Sequence, residues 1–161
     1  MEGVSAWLVS GLTRRLGPMT NAFKYLTSVL FAAVVVQVAL AGYGVFYVLH
    51  KVNKNHSVTK DAFDHGFNAH AVVGTLVLVV MLLLVIVAVA GRLGSTALKF
   101  SAGLLVAGIL ELVFAALGRS VPALGFLHVV DALVIYAAAA LLAHRAWTRG
   151  LGSAAPPAGA A

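Results

Sequence analysis

Residues 72–90 read VVGTLVLVVMLLLVIVAVA, an apolar run with no charged side chain and no proline. A helix needs about 20 such residues to cross the hydrocarbon of a bilayer. Read outward to the nearest glycines, the run becomes a span over Gly66–Gly91. Three more stretches share its character: Tyr25–Leu49, Thr96–Leu117 and Leu124–Trp147. Valine clusters such as Val34-Val35-Val36 carry strand propensity. A strand inside a bilayer must, however, belong to a closed barrel and alternate apolar with polar side chains, and these stretches do not alternate. Gly94-Ser95 and Gly118 bound the third stretch, and Pro122 stands just before the fourth, where proline suits a helix start. All connections except Lys51–His65 are short, so neighbouring helices run antiparallel. The expected fold class is all-α, an integral membrane up-down four-helix bundle.

Composition agrees. The 161 residues are 61% apolar and 10% charged, with a mean hydropathy of +1.01. A soluble domain carries roughly 25% charge, and a disordered chain is poor in Leu, Val and Ile. With no cysteine, the chain cannot be a disulfide scaffold, nor hold an iron–sulfur cluster or a thiolate zinc site. The net charge is +6, but no basic stripe interleaved with aromatics and no nucleic-acid motif accompanies it. Nucleic acid is therefore not an expected partner, and the lipid bilayer is.

Three regions follow. Residues 1–21 place the apolar stretch Val4–Leu12 before Arg14-Arg15, the reverse of a secretory signal. They read as a cytoplasmic or interfacial segment with Trp7 at headgroup level. Residues 22–149 hold the four spans. Residues 150–161, rich in Gly, Ala, Ser and Pro, read as a disordered tail. With the N-terminus inside, the inner side carries seven basic residues (Arg14, Arg15, Lys24, Arg92, Lys99, Arg145, Arg149) and the outer side four (Lys51, Lys54, Lys60, Arg119). The excess places both termini in the cytoplasm.

Ionisable groups at membrane depth cost roughly 3 kcal/mol each on insertion scales and are functional candidates by default. Leaving aside Lys99, His144 and Arg145 near the inner span ends, they are His70, Glu111, His128 and Asp131, with a Gln37 amide beside them. From the expected span ends, His70 and His128 each lie about 6 Å below the outer surface, Glu111 about 9 Å and Asp131 about 10 Å. Two histidines at one depth on two helices are the ligand set of a b-type haem, whose macrocycle supplies the other four iron ligands. Gly74, one turn from His70, offers space for a flat ring. Asp131 is placed to orient the His128 imidazole. Glu111 and Asp131 together would tune the iron if ionised and serve a proton path or a quinone head group if protonated; equally, they would form a protonated pair joining the third and fourth spans. Lys51, Lys54, Lys60 and Arg119 could meet haem propionates. His144, near the opposite end, has no histidine partner, so one haem is expected. His65, at the mouth of the second span, is the alternative ligand to His70.

The sequence resembles a family of small four-helix bacterial membrane proteins of uncharacterised function. The likeness rests on Ala33-Val34-Val35-Val36-Gln37 and Leu40-Ala41-Gly42-Tyr43-Gly44-Val45-Phe46 in the first span, Asn68-Ala69-His70 running to Gly74 in the second, and Leu127-His128-Val129-Val130-Asp131-Ala132-Leu133 in the fourth. It covers roughly residues 26–145. In the fourth span the family form is Leu-His-Pro-x-Asn, so Val129 and Asp131 depart from it. The resemblance implies the four-helix fold and a bacterial cytoplasmic membrane location, and it singles out Gln37, His70 and His128. A looser similarity links paired histidines on the second and fourth helices to membrane b-type cytochromes. The expected function is thus one-electron transfer by a bis-histidine haem protein near the outer face. A quinone, a redox protein and a second copy of the chain are candidate partners.

Blander readings stand beside this one. Intramembrane histidines also serve as interhelical hydrogen-bond partners or proton relays. His50, His56, His65 and His70, with Asp61 and Asp64, form a loose imidazole–carboxylate cluster suited to zinc, copper or nickel outside the cytoplasm. A non-catalytic subunit of a membrane complex would need no cofactor.

The charge asymmetry gives a direct test, since this cysteine-free chain labels cleanly. In right-side-out vesicles, Ser57→Cys should react with a membrane-impermeant maleimide, and Thr148→Cys should react only after permeabilisation.

Overall fold

A computed structural model describes the backbone of residues 2–55 and 57–148, and the side chains of residues 17–54 and 57–148. The side chains of Trp7, Arg14, Arg15, His56 and Arg149, and the tail from residue 150, lie outside the described residues. Among those described, the chain forms four α-helices: α1 (Glu2–Asn55), α2 (Lys60–Ala90), α3 (Ser95–Gly118) and α4 (Pro122–Thr148). Each is long and apolar enough to cross a membrane. The fold is an all-α four-helix bundle, and the chain is a multi-pass membrane protein.

The helices outrun the expected spans. α1 continues back to Glu2 through Pro18, and on to Asn55. The connection expected over Lys51–His65 shrinks to residues 56–59. Hydropathy registers only the part of a helix that meets hydrocarbon, whereas caps and local charge carry it on into water. Thr59 is such a cap: its hydroxyl accepts from the Ala62 N–H at 3.1 Å, and Asp61 lies in the first turn, where the helix dipole favours an acid.

The four helices pack in cyclic order, α1 against α2, α2 against α3, α3 against α4 and α4 against α1. α1 and α3 are thus diagonal to one another, as are α2 and α4. Buried positions step by four, three and four residues along every helix. They are Phe23, Thr27, Leu30 and Val34 on α1, Val77, Met81, Leu84 and Ala88 on α2, Ala97, Ser101, Leu104 and Gly108 on α3, and Ile135, Ala139, Leu142 and Ala146 on α4. That 3.5-residue repeat is the seam of a left-handed bundle. The opposite faces are bare and apolar, with Val72, Leu76, Val79 and Ile86 of α2 about half exposed, as surfaces against lipid are.

The well-packed core occupies the end of the bundle that carries the α2–α3 turn. There Trp147 donates through Nε1 to Ser28 Oγ at 2.9 Å and Lys24 lies 5.7 Å over the indole, tying the end of α4 to α1. The turn itself is tight. The Leu93 N–H donates to Ala88 O and the Arg92 N–H to Val89 O, with Arg92 at φ 48°. This double bond pattern closes the last carbonyls of α2 around a left-handed residue. Gly94 follows at φ 92°, ψ 167°, a region essentially reserved for glycine. Gly94→Ala should therefore lower stability by about 1–3 kcal/mol, read as a drop in the thermal unfolding midpoint in mild detergent.

Candidate functional site

Continuing the buried repeat away from the turn end decides where the polar groups lie. On α1, three residues beyond Val34 is Gln37. On α2, stepping back from Val77 by three and then four gives Gly74 and His70. On α3, three beyond Gly108 is Glu111, and then Ala115 and Gly118. On α4, stepping back from Ile135 by three, four and three gives Ala132, His128 and Gly125. Gln37, His70, Glu111 and His128 thus occupy core positions, one from each helix. The core positions around them are filled by glycine and alanine, and the interior hollows into a cavity of about 1030 Å³ lined by residues of all four helices. Met81, Gly108 and Ile135 form its floor, and Val58, Thr59, Lys60 and Arg119 its rim.

The two histidines face one another across the bundle diagonal. Their ring centroids are 6.3 Å apart and their planes cross at 79°. Each ring is fixed by the helix before it in the chain. His70 Nδ1 lies 3.1 Å from the main-chain oxygen of Gln37, and His128 Nδ1 lies 3.2 Å from the main-chain oxygen of Glu111. A carbonyl oxygen can only accept, so in both rings Nδ1 carries the proton. Nε2 of each neutral ring is then an unprotonated lone pair, with no protein partner among the described residues.

The acceptor residues also use their side chains, in different ways. Gln37 Nε2 donates to the main-chain oxygen of His70 at 2.8 Å, so Gln37 and His70 bond each other twice. Glu111 places Oε1 3.1 Å from His128 Nδ1, which makes that N–H a two-acceptor donor. Of the four buried side-chain oxygens without a partner among the described residues, three belong to this half of the bundle, Gln37 Oε1, Glu111 Oε2 and Asp131 Oδ2, and the fourth, Ser101 Oγ, lies in the turn-end core.

Several expected roles change. Gly74 lines the cavity, but a Cβ there would stand 2.8 Å from Gln37 Nε2. The glycine makes room for the amide that clamps His70. The carboxyl that orients His128 is Glu111; Asp131 lies one residue off the buried repeat and does not line the cavity. His65 turns to Asp61, 3.2 Å away on an exposed face of α2, and neither His65 nor His144 lines the cavity. Among the described residues, no group of three or more His, Cys, Asp or Glu side chains is arranged to hold a metal ion. His50 and His65 therefore do not close into the looser cluster, and His56 lies outside the described residues. Of the four basic residues expected on the outer side, Lys60 and Arg119 reach the cavity, while Lys51 and Lys54 do not.

The reading by depth alone missed that the four polar residues share a layer and that each histidine is paired with its own hairpin partner. The four-three-four repeat, traced from the apolar half of each helix into the polar half, is the signal that would have found both.

Comparison with known protein families, with curated proteins and with solved structures finds no match to this chain.

The Gly74–Gln37 contact can be isolated by a double-mutant cycle. Gly74→Ala should cost about 1–3 kcal/mol by crowding the amide off the His70 carbonyl. In a Gln37→Ala background the same substitution should cost much less, because the clash and the bond are both gone.

Proposed function

We propose that this protein holds one b-type haem between His70 and His128 and passes single electrons near the outer face of the bacterial cytoplasmic membrane, with both termini in the cytoplasm. The observation that carries the reading is the pair of facing imidazoles, each with its Nδ1 proton committed to a carbonyl and its Nε2 lone pair left over. A metal bonded at about 2.0 Å to one nitrogen of each ring, with each ring centre about 1 Å behind its nitrogen, sets the centroids roughly 6 Å apart. The separation here is 6.3 Å.

The donor set favours a group that brings most of its own ligands. Two neutral nitrogens leave a bare zinc or copper ion short of partners, and no third His, Cys, Asp or Glu joins them among the described residues. Haem b, when bound, supplies four of six iron ligands and a one-electron couple. A cavity of about 1030 Å³ at this layer, with the small side chains of Ala115 and Ala132 in its lining, supports a bulky flat ligand.

The chain's own residues do the rest. His70 and His128 hold the iron from two helices, so the bundle diagonal sets the ligand spacing. The Gln37 and Glu111 carbonyls fix the tautomers and stop the rings from turning. The Glu111 carboxyl at His128 Nδ1 strengthens that ring as a donor. Bis-histidine ligation leaves no open iron position, which disfavours oxygen chemistry and suits electron transfer with a quinone or a redox protein.

The test is spectroscopic. Protein purified in mild detergent after expression with ample haem should show a sharp reduced α-band of b type and bind carbon monoxide poorly. His70→Ala and His128→Ala should each abolish the band, and His65→Ala should keep it. A colourless protein, where a known cytochrome fills under the same conditions, would overturn the reading.

A further inference from the structure

The cavity has one charged end. Most of its lining is apolar or small, and the histidine layer lies within it. At the rim stand Lys60 and Asp64 on α2 and Arg119 at the end of α3. Arg119 is the residue that spans this rim. Its guanidinium carbon lies 5.9 Å over the ring of Phe63 on α2, so the side chain reaches from α3 across the mouth. Phe63 is seven residues before His70, which puts the guanidinium about 10 Å along the helix axis from the histidine layer. No carboxylate lies within 4 Å of it among the described residues; the close carboxyl contacts there are Asp61 with His65 and Glu111 with His128.

An arginine held over an aromatic face at the mouth of an apolar cavity, with its planar fork uncommitted, is a carboxylate receptor. Haem b is an apolar macrocycle with two carboxylates on one edge. We infer that Arg119 receives the haem propionates at the rim, assisted by Lys60, and so fixes which edge of the macrocycle points out of the bundle. This rests on the haem reading above. Asp64 shares the rim and opposes the attraction, leaving the three charged groups a balance of one positive charge. The Phe63 ring lies beneath the guanidinium and holds the exposed Arg119 side chain over the mouth.

The geometry also says why Arg119, and not Lys51 or Lys54, takes this role. The two α1 lysines belong to the same end of the bundle, yet neither lines the cavity. Lys51 instead lies 5.5 Å over the Tyr47 ring of its own helix. Side chains on a helix lean toward its N-terminus. Arg119, at the C-terminal end of α3, therefore leans back toward Glu111 and the cavity. Lys60, at the N-terminus of α2, leans away from it, which makes its contribution secondary.

The experiment titrates haem and haem dimethyl ester, which lacks free carboxylates, into detergent-solubilised apoprotein and follows the bis-histidine spectrum. The native chain should bind haem about tenfold or more tightly than the ester. Arg119→Ala should remove most of that preference for haem, Lys60 keeping the remainder, and leave the ester unchanged. Arg119→Lys should fall between, because the charge remains and the fork is lost. If haem and ester bind the native chain equally, or Arg119→Ala binds haem as tightly as native, the inference is overturned while the haem site stands. If neither molecule gives a spectrum that depends on His70 and His128, the haem reading falls and this inference with it.

Discussion

An imidazole N–H buried at membrane depth has to find an acceptor, because lipid offers none and an unpaired donor there costs several kcal/mol. In this bundle that proton goes, in both histidines, to a main-chain carbonyl of the preceding helix. An α-helix carbonyl is normally spent on its own helix but has a second lone pair to give. Much of the site follows from this arrangement. It sets the rotation of α2 against α1 and of α4 against α3. It chooses the tautomer of each ring and leaves Nε2 as the lone pair with no partner among the described residues.

The bundle divides along its length on the size of the side chains in one continuous repeat. At the turn end the core positions are filled by Phe23, Leu30, Met81, Leu84, Leu104 and Leu142, and packing is dense. Toward the other end the same positions hold Gly74, Ala132, Ala115, Gly118 and Gly125 around the four polar residues, and the interior opens. One half supplies the stability that the other half gives up. Three of the four buried oxygens without partners among the described residues, on Gln37, Glu111 and Asp131, fall in that second half, against Ser101 alone in the first, and a protein tolerates such unpaired groups mainly where function requires them.

The two hairpins repeat one device with different chemistry. In α1–α2 a neutral amide reaches over Gly74 to the His70 carbonyl, and the pair is closed on itself. In α3–α4 a carboxyl stands against the His128 N–H. The imidazoles are therefore geometrically similar and electronically unequal. An iron held between them would feel a stronger donor from α4 than from α2.

The sequence by itself determined the four helices, their antiparallel order and the short list of polar residues at membrane depth. Those follow from local quantities: a run of apolar residues long enough to cross hydrocarbon, and side chains too costly to bury without purpose. It placed the helix ends poorly around residues 51–65, because hydropathy is silent once a helix leaves the lipid. Tertiary structure alone decided the pairings. Sequence spacing put Asp131 on the His128 face, yet rotation of α3 brings Glu111 to the ring first. Gly74 looked like space for a cofactor and proved to be space for Gln37, since what a missing Cβ makes room for depends on the neighbouring helix. Among four basic residues assigned to one side, packing left Arg119 leaning across the cavity mouth. Each of these is a relation between helices far apart in sequence, fixed by azimuth and crossing rather than by anything a single stretch encodes.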